Sequence, residues 1–336
     1  MSSSACAGCS RPRAQSVVEL ASFEELEAFV AGRDAEVFIG YGVNTPPKDE
    51  PCPLPRIVAA APGTCGDSTR NDVRVGEWSR TWSDEDYARA VERVRAAIER
   101  GDVYQVNLVQ HLSAPFSGDP RALAHALGPL HTRTLSTAEW AIVSATPELF
   151  LARRGDRLWT KPIKGTRPLG EDVDDDKDAA EHVMIVDLER NDLSRVCVPG
   201  SVRWPELMSQ QELAGVTHLV STVEGRLRRG VGLAEILQAT FPGGSITGAP
   251  KLAAIEHIAR IEPVGRGASM GAIGRVFANG DFELALTIRT FAIADGRIHL
   301  WVGGGIVWDS DPESEIEESW VKARPLLAAV GGLVPA

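Results

Sequence analysis

Positive charge is in short supply in this chain. Its 336 residues carry 35 Lys and Arg against 46 Asp and Glu, a formal net charge of −11 at pH 7. That balance argues against a nucleic-acid or anionic-membrane partner, because little basic surface is left to neutralise phosphates. An anionic substrate stays compatible only if a local Lys, Arg or bound cation meets it. Long apolar runs are missing too: none approaches the roughly 20 residues that span a bilayer, and the first residues lack the apolar core of a signal peptide. The five cysteines are an odd number, scattered over a large chain, which fits the reducing cytoplasm rather than a disulfide scaffold. Cys6-Ala7-Gly8-Cys9 has the spacing of half a zinc site, but Cys52 and Cys65 would complete it at poor spacing, so a structural zinc is not expected. No cysteine sits in a Gly-x-Cys-x-Gly elbow, so no glutaminase segment is recognisable. The glycine-rich stretch Phe241–Lys251 has no closing Gly-Lys-Ser/Thr and is not a nucleotide phosphate loop.

What is present points to an α+β protein. Ser22, three residues before Glu25, is placed to cap a short helix to Val30, and Val37–Tyr41 reads as a strand. Thr45–Pro55 is proline-rich and reads as a loop, and the stretch on to about residue 80 has little periodicity. Ser83 caps a helix over 84–100 with Tyr87, Val91, Val94 and Ile98 on one face. Val103–Val109 alternates as a half-buried strand, with Gln105 and Asn107 on one side. Three hairpin turns follow at Gly155-Asp156, Asn279-Gly280 and Asp295-Gly296, each between strand-like runs. Successive hairpins predict antiparallel sheets packed face to face, with helices around them.

Several residue groups suggest chemistry. Phe241–Lys251 brings glycines and hydroxyls to the start of a helix, where bare amides favour an anion. Lys164 lies between Ile163 and Gly165 after a strand; held in a poorly hydrated site it would be a nucleophile, and read alone a lysine there is more often a surface residue. Asp178 and Glu181 share one helix face, as do Glu315, Glu318 and Lys322. Two such helices together would suit a hard divalent ion such as Mg²⁺, and separately would be solvated acidic faces. His218 lies inside a strand-like run, and Arg289 reads as mid-strand in an apolar segment, where a buried Arg needs an anion. Gly303-Gly304-Gly305 follows a strand and would expose amides.

Taken in order, Tyr104–Leu108, Pro162–Thr166, Glu181–Asp192, Phe241–Lys251, Ile288–Thr290 and Gly303–Lys322 resemble the chorismate-utilising enzymes, over residue 82 to the C-terminus. On that resemblance, 1–81 is a short, partly irregular N-terminal region and 82–336 a chorismate-binding catalytic domain. Gln105 stands where water-adding members carry a lysine base, so it resembles the ammonia-using members. Lys164 stands where anthranilate synthases carry alanine, so Pro162-Ile163-Lys164-Gly165-Thr166 is similar to the aminodeoxychorismate synthase branch, whose lysine attacks the ring. The resemblance implies Mg²⁺ on Glu181 and Glu318, with Asp178 and Glu315 in support. It implies Gln105, Gly165, Thr166, Ser245, Arg289, Gly303 and Lys322 at the substrate, Glu148 as general acid, and His218 beside the reacting ring. It also implies ammonia from a separate glutamine amidotransferase subunit. The chain departs from the family at Ser269 and Arg275, where aromatics are usual, and no tryptophan-binding segment is recognisable, so tryptophan control is not expected.

Overall fold

A computed structural model of the protein describes residues 17–62, 73–130, 132–168, 176–213 and 216–333. Among these residues the strands form a ten-stranded and an eight-stranded sheet, with helices around them. The larger sheet contains Val17–Leu20, Ala35–Ile39 and Ile57–Ala60 at one side, then Ala272–Val276, Phe282–Leu286, Leu149–Arg154, Arg157–Lys161, Val216–Arg226 and Ile163–Pro168. Arg203–Leu213 runs along the other side of Val216–Arg226. The smaller sheet is built on the long strands Gln105–Ser117 and Arg297–Ile306, which pair antiparallel over ten residues from Arg297↔Pro115 to Ile306↔Val106. One apolar core takes side chains from both sheets, Phe38 and Ile39 from one, Val106 and Leu108 from the other.

The local signals behave as their chemistry requires. Ser22 accepts from the Glu25 amide ahead of the helix Phe23–Val30, and Ser83 and Asp86 form a reciprocal capping box on Asp84–Glu99. All three predicted hairpins form, each closing an antiparallel pair. Strands from before and after residue 82 share the sheets: Ala35–Ile39 pairs with Ala272–Val276, and Ser79–Arg80 with the strand from Gln105.

Two short connections between consecutive strands switch sheets. Between Trp140–Ser144 and Leu149–Arg154 the chain leaves the smaller sheet for the larger, and between Phe282–Leu286 and Thr290–Ala294 it returns. The two crossings lie side by side: the Ala145 amide donates to the Arg289 carbonyl and the Leu286 amide to the Glu148 carbonyl, both at 3.0 Å. Arg289 is therefore not mid-strand. It sits at the break between two strands, with a left-handed φ of 49°, a conformation that a continuous strand does not contain. The triglycine also differs from expectation. Gly303, Gly304 and Gly305 lie within the strand, paired with Val109, Leu108 and Asn107, so they belong to the ladder rather than to a loop of free amides.

Candidate active site

The paired crossings place Glu148 and Arg289 at the seam between the sheets. Glu148 is buried, and the Ser245 hydroxyl donates to its Oε1 at 2.7 Å. Burial pushes its carboxyl above the usual range, against the Ser245 bond, Lys164, the Ile163 amide and Arg289, all of which favour the charged form. Arg289 is half-buried, and desolvation lowers its pKa while Glu148 raises it. A carboxyl whose pKa is raised is better suited to act as a general acid.

Lys164 comes from Ile163–Pro168, where the pairing with Val216–Arg226 shifts register between Lys164 and Thr166. Gly165 occupies that bulge with φ 61°, which glycine adopts without the Cβ penalty. Its carbonyl faces His218 Nδ1 at 3.0 Å. A carbonyl can only accept, so Nδ1 carries the proton. Burial holds the His218 pKa below the usual value, against the Gly165 bond, with Arg289 lowering it further; the ring is neutral at pH 7. Lys164 Nζ lies 3.6 Å from Glu181 Oε2, and the Gln105 amide donates to Glu181 Oε1 at 2.5 Å.

The second carboxylate group rests on the helix Pro312–Val330. Lys322 Nζ donates to Glu318 Oε1 at 2.5 Å and to the Gly303 carbonyl at 3.0 Å. Glu315 is buried and accepts from Ser310 at 2.6 Å. The two groups converge on adjacent glycines. A Cβ on Gly304 would lie 2.8 Å from Glu318 Oε1 and 3.4 Å from Glu315 Oε2, and one on Gly305 would lie 2.6 Å from Glu181 Oε1 and 1.8 Å from Gln105 Nε2. The glycines make room for carboxylates from two helices on one strand. Among the described residues no three His, Cys, Asp or Glu side chains close on one point. The side chains of Asp178 and Thr166 lie outside the described residues, as do Cys6, Cys9 and Cys65. Glu181 and Glu318 are hard oxygen donors, and two carboxylates suffice for an ion that keeps several waters.

The glycine-rich loop is not an open anion site. The Gly244 amide donates to the buried Glu189 carboxylate at 3.0 Å, and Lys251 is bound to the buried Asp192 and to the Thr240 carbonyl. The protein's own carboxylates fill the positions that sequence reasoning offered to a ligand. Ser245 is thereby brought to Glu148, within the seam. Sequence reasoning missed Glu189, Asp192 and the staple Arg266. Arg266 is 1% exposed, pairs with Glu262, and donates to the Ile246 carbonyl at 2.8 Å and the Asn107 carbonyl at 2.7 Å, tying the loop to the strand from Gln105. The available signals were spacings: Glu189 and Asp192 three apart, Glu262 and Arg266 four apart.

The chain as a whole has relatives among known proteins. Residues 18–328 match the model of a family described as chorismate binding enzyme. The chain belongs to that family. It is 41% identical over 82% of its length to anthranilate synthase component 1 of Thermus thermophilus, covering 62% of that protein. It is 40% identical over 74% of its length to aminodeoxychorismate synthase component 1 of Klebsiella aerogenes, covering 59% of that protein. The chain thus spans less than two thirds of the length of these relatives. In fold it is similar to the crystal structure of anthranilate synthase component I from Streptococcus pneumoniae, with a TM-score of 0.80 at 23% identity, covering 97% of this chain and 95% of that one. No helix among the described residues is long and apolar enough to cross a membrane.

Proposed function

We propose that the protein aminates chorismate at ring carbon 4, giving 4-amino-4-deoxychorismate with the pyruvyl group retained, as an aminodeoxychorismate synthase component I. It does so in the cytoplasm, toward 4-aminobenzoate and folate, with ammonia from a separate glutamine amidotransferase subunit. The observation that carries the reading is Lys164. It is presented by the Gly165 bulge into the same seam as a buried carboxyl of raised pKa, Glu148.

In this mechanism Lys164, as the free amine, bonds to ring carbon 2. Both ring double bonds shift by one position, and the 4-hydroxyl leaves as water with the proton of Glu148. Ammonia then bonds to carbon 4, both double bonds shift back and the carbon–Nζ bond breaks. The surplus proton on nitrogen returns to Glu148. Mg²⁺, held by Glu181 and Glu318 with Asp178 and Glu315 in support, would bind the ring carboxylate as a Lewis acid. Arg289, Lys322, Gly303, Gly165, Thr166, Ser245 and Gln105 would hold and orient the substrate, and the neutral His218 would stand beside the ring. Acid, nucleophile and cation together in a site shielded from water are what such a displacement requires.

A second reading, anthranilate synthase component I, is favoured by relatives of that name at similar identity. The test is purified protein with chorismate, Mg²⁺ and ammonium at alkaline pH, with products identified by mass. Aminated chorismate retaining its pyruvyl group is the expected product. Anthranilate with released pyruvate would overturn the assignment in favour of the second reading.

A further inference from the structure

The strand Val216–Arg226 carries His218 near one end and Arg226 at the other. The strand between them is roughly 26 Å long, so its far end lies well away from the candidate active site. There the chain runs on through Leu227 to Val231, beside the hairpin turn at Gly155-Asp156, and the Leu227 amide donates to the Asp156 carbonyl at 2.7 Å. Residues of both segments line a cavity of about 410 Å³. That is within the range of small-molecule sites, about 300–1,000 Å³. Four arginines line it, Arg153, Arg226, Arg228 and Arg229, against a single acidic residue, Asp156, and no lysine.

The carboxylates around this cavity are committed elsewhere. Arg228 donates to Glu235 Oε1 at 2.9 Å and to the Arg195 carbonyl at 2.7 Å. Glu224 accepts from Arg157 at 2.7 Å and from Arg203 at 2.8 Å. Asp281 takes the Gly155 amide at 2.7 Å, and Glu283 lies 3.5 Å from Arg154. Among the described residues the guanidinium groups of Arg153, Arg226 and Arg229 have no ion partner, and their one hydrogen bond runs from Arg153 Nε to the Gly155 carbonyl at 2.8 Å. Arg226 also stands directly opposite Arg157 in the ladder, and like charges so placed cost stability. In a chain of net charge −11 this excess of positive charge is local. A helix end does not supply it: the amide of Leu233, which opens the next helix, is taken by Glu27 at 2.7 Å.

We propose that this cavity binds a small phosphorylated molecule through a diphosphate-class group, at a site separate from the candidate active site. A guanidinium presents paired N–H donors in a fixed plane that matches two oxygens of a phosphate, and it keeps its charge at any working pH. Guanidinium groups without a carboxylate partner call for a ligand that concentrates several negative charges in a small volume. Linked phosphates do so, since each brings up to about two charges and several acceptor oxygens. A concave site of this size suits a small molecule rather than the face of a protein. Nothing in the proposal depends on which reaction the enzyme performs on chorismate.

Calorimetric titration with pyrophosphate tests it, without Mg²⁺ and at about 0.15 M salt, where loosely held charges are screened. The wild type should bind one pyrophosphate per chain. Arg229→Gln should bind about tenfold more weakly, and the double variant Arg153→Gln with Arg229→Gln should show no measurable binding. Arg229 is exposed and its side chain makes no bond among the described residues, so its replacement leaves the fold intact. Lys322→Ala, altered at the candidate active site, should bind as the wild type does. ADP and a sugar bisphosphate, titrated in the same way, tell a nucleoside carrier of the group from a sugar carrier by which binds the more tightly. No saturable binding by the wild type, equal affinity in the double variant, loss of binding in Lys322→Ala, or citrate bound as tightly as pyrophosphate would overturn the proposal.

Discussion

Two glycine-rich stretches, Gly243–Gly248 and Gly303–Gly305, look alike in the sequence and do different things. Both suggest bare amides for an anion. In the first, the Gly244 amide is taken by Glu189, and the lack of a side chain lets the helix Asp176–Ser194 press Leu188 and Glu189 against the loop. In the second, the residues are ladder partners of the neighbouring strand, and the missing side chains leave space for Glu181 and Glu318. The lesson is that glycine here matters for the volume it leaves empty. One stretch is packed shut by protein carboxylates, and the other is kept open for them.

Alanine at the two stretches should therefore fail in different ways. The largest effect is expected at Gly305→Ala. Its methyl would displace the flexible ends of Gln105 and Glu181 rather than backbone, so the fold should hold while kcat/KM falls about 100-fold, the scale of an ångström-sized misplacement. Steady-state kinetics beside a thermal melt check this; an unchanged rate would mean that the glycine does not set the Glu181 position. Gly244→Ala should show the opposite balance. Its methyl meets packed Leu188, and overpacking of that kind costs about 1–3 kcal/mol of stability. Denaturant unfolding would measure it, and a neutral result would break the contrast between the two loops.

A smaller effect concerns pH. Glu189 is raised from 4.5 to about 7 in the folded protein. The folded state thus keeps a proton that the unfolded chain releases above 4.5. The associated stability is fully present below 4.5, declines as pH rises to about 7, and is flat beyond. Glu189→Gln should remove that decline, worth on the order of 3 kcal/mol across the window. Comparing unfolding midpoints of the two proteins at pH 5 and pH 8 tests it; parallel curves would contradict the shift.

Much of the fold was legible because its signals are local. Caps at Ser22 and Ser83 and turns at Gly155, Gly280 and Gly296 depend on a few adjacent residues, and the structure shows them all. The sheet switch at Arg289 was not legible, since Thr287-Ile288-Arg289-Thr290 reads as strand and only tertiary pairing breaks it. Short strands such as Arg74–Val75 and Ser79–Arg80 offer too few residues for a period to show. The candidate site was legible as residue types in order, but its internal bonds were not. Lys251 with Asp192, and Glu148 with Ser245, join positions 59 and 97 residues apart, and nothing in spacing foretells such pairs.

The central claim is that Lys164 bonds to the substrate ring, and trapping that bond tests it most directly. The protein would be incubated with chorismate and Mg²⁺ without ammonium, quenched with acid, and mapped by peptide mass. The account predicts a peptide containing Lys164 that has gained the mass of chorismate less one water, and that is absent from Lys164→Ala. A Lys164→Ala protein that still formed the 4-amino product at the normal rate would contradict it.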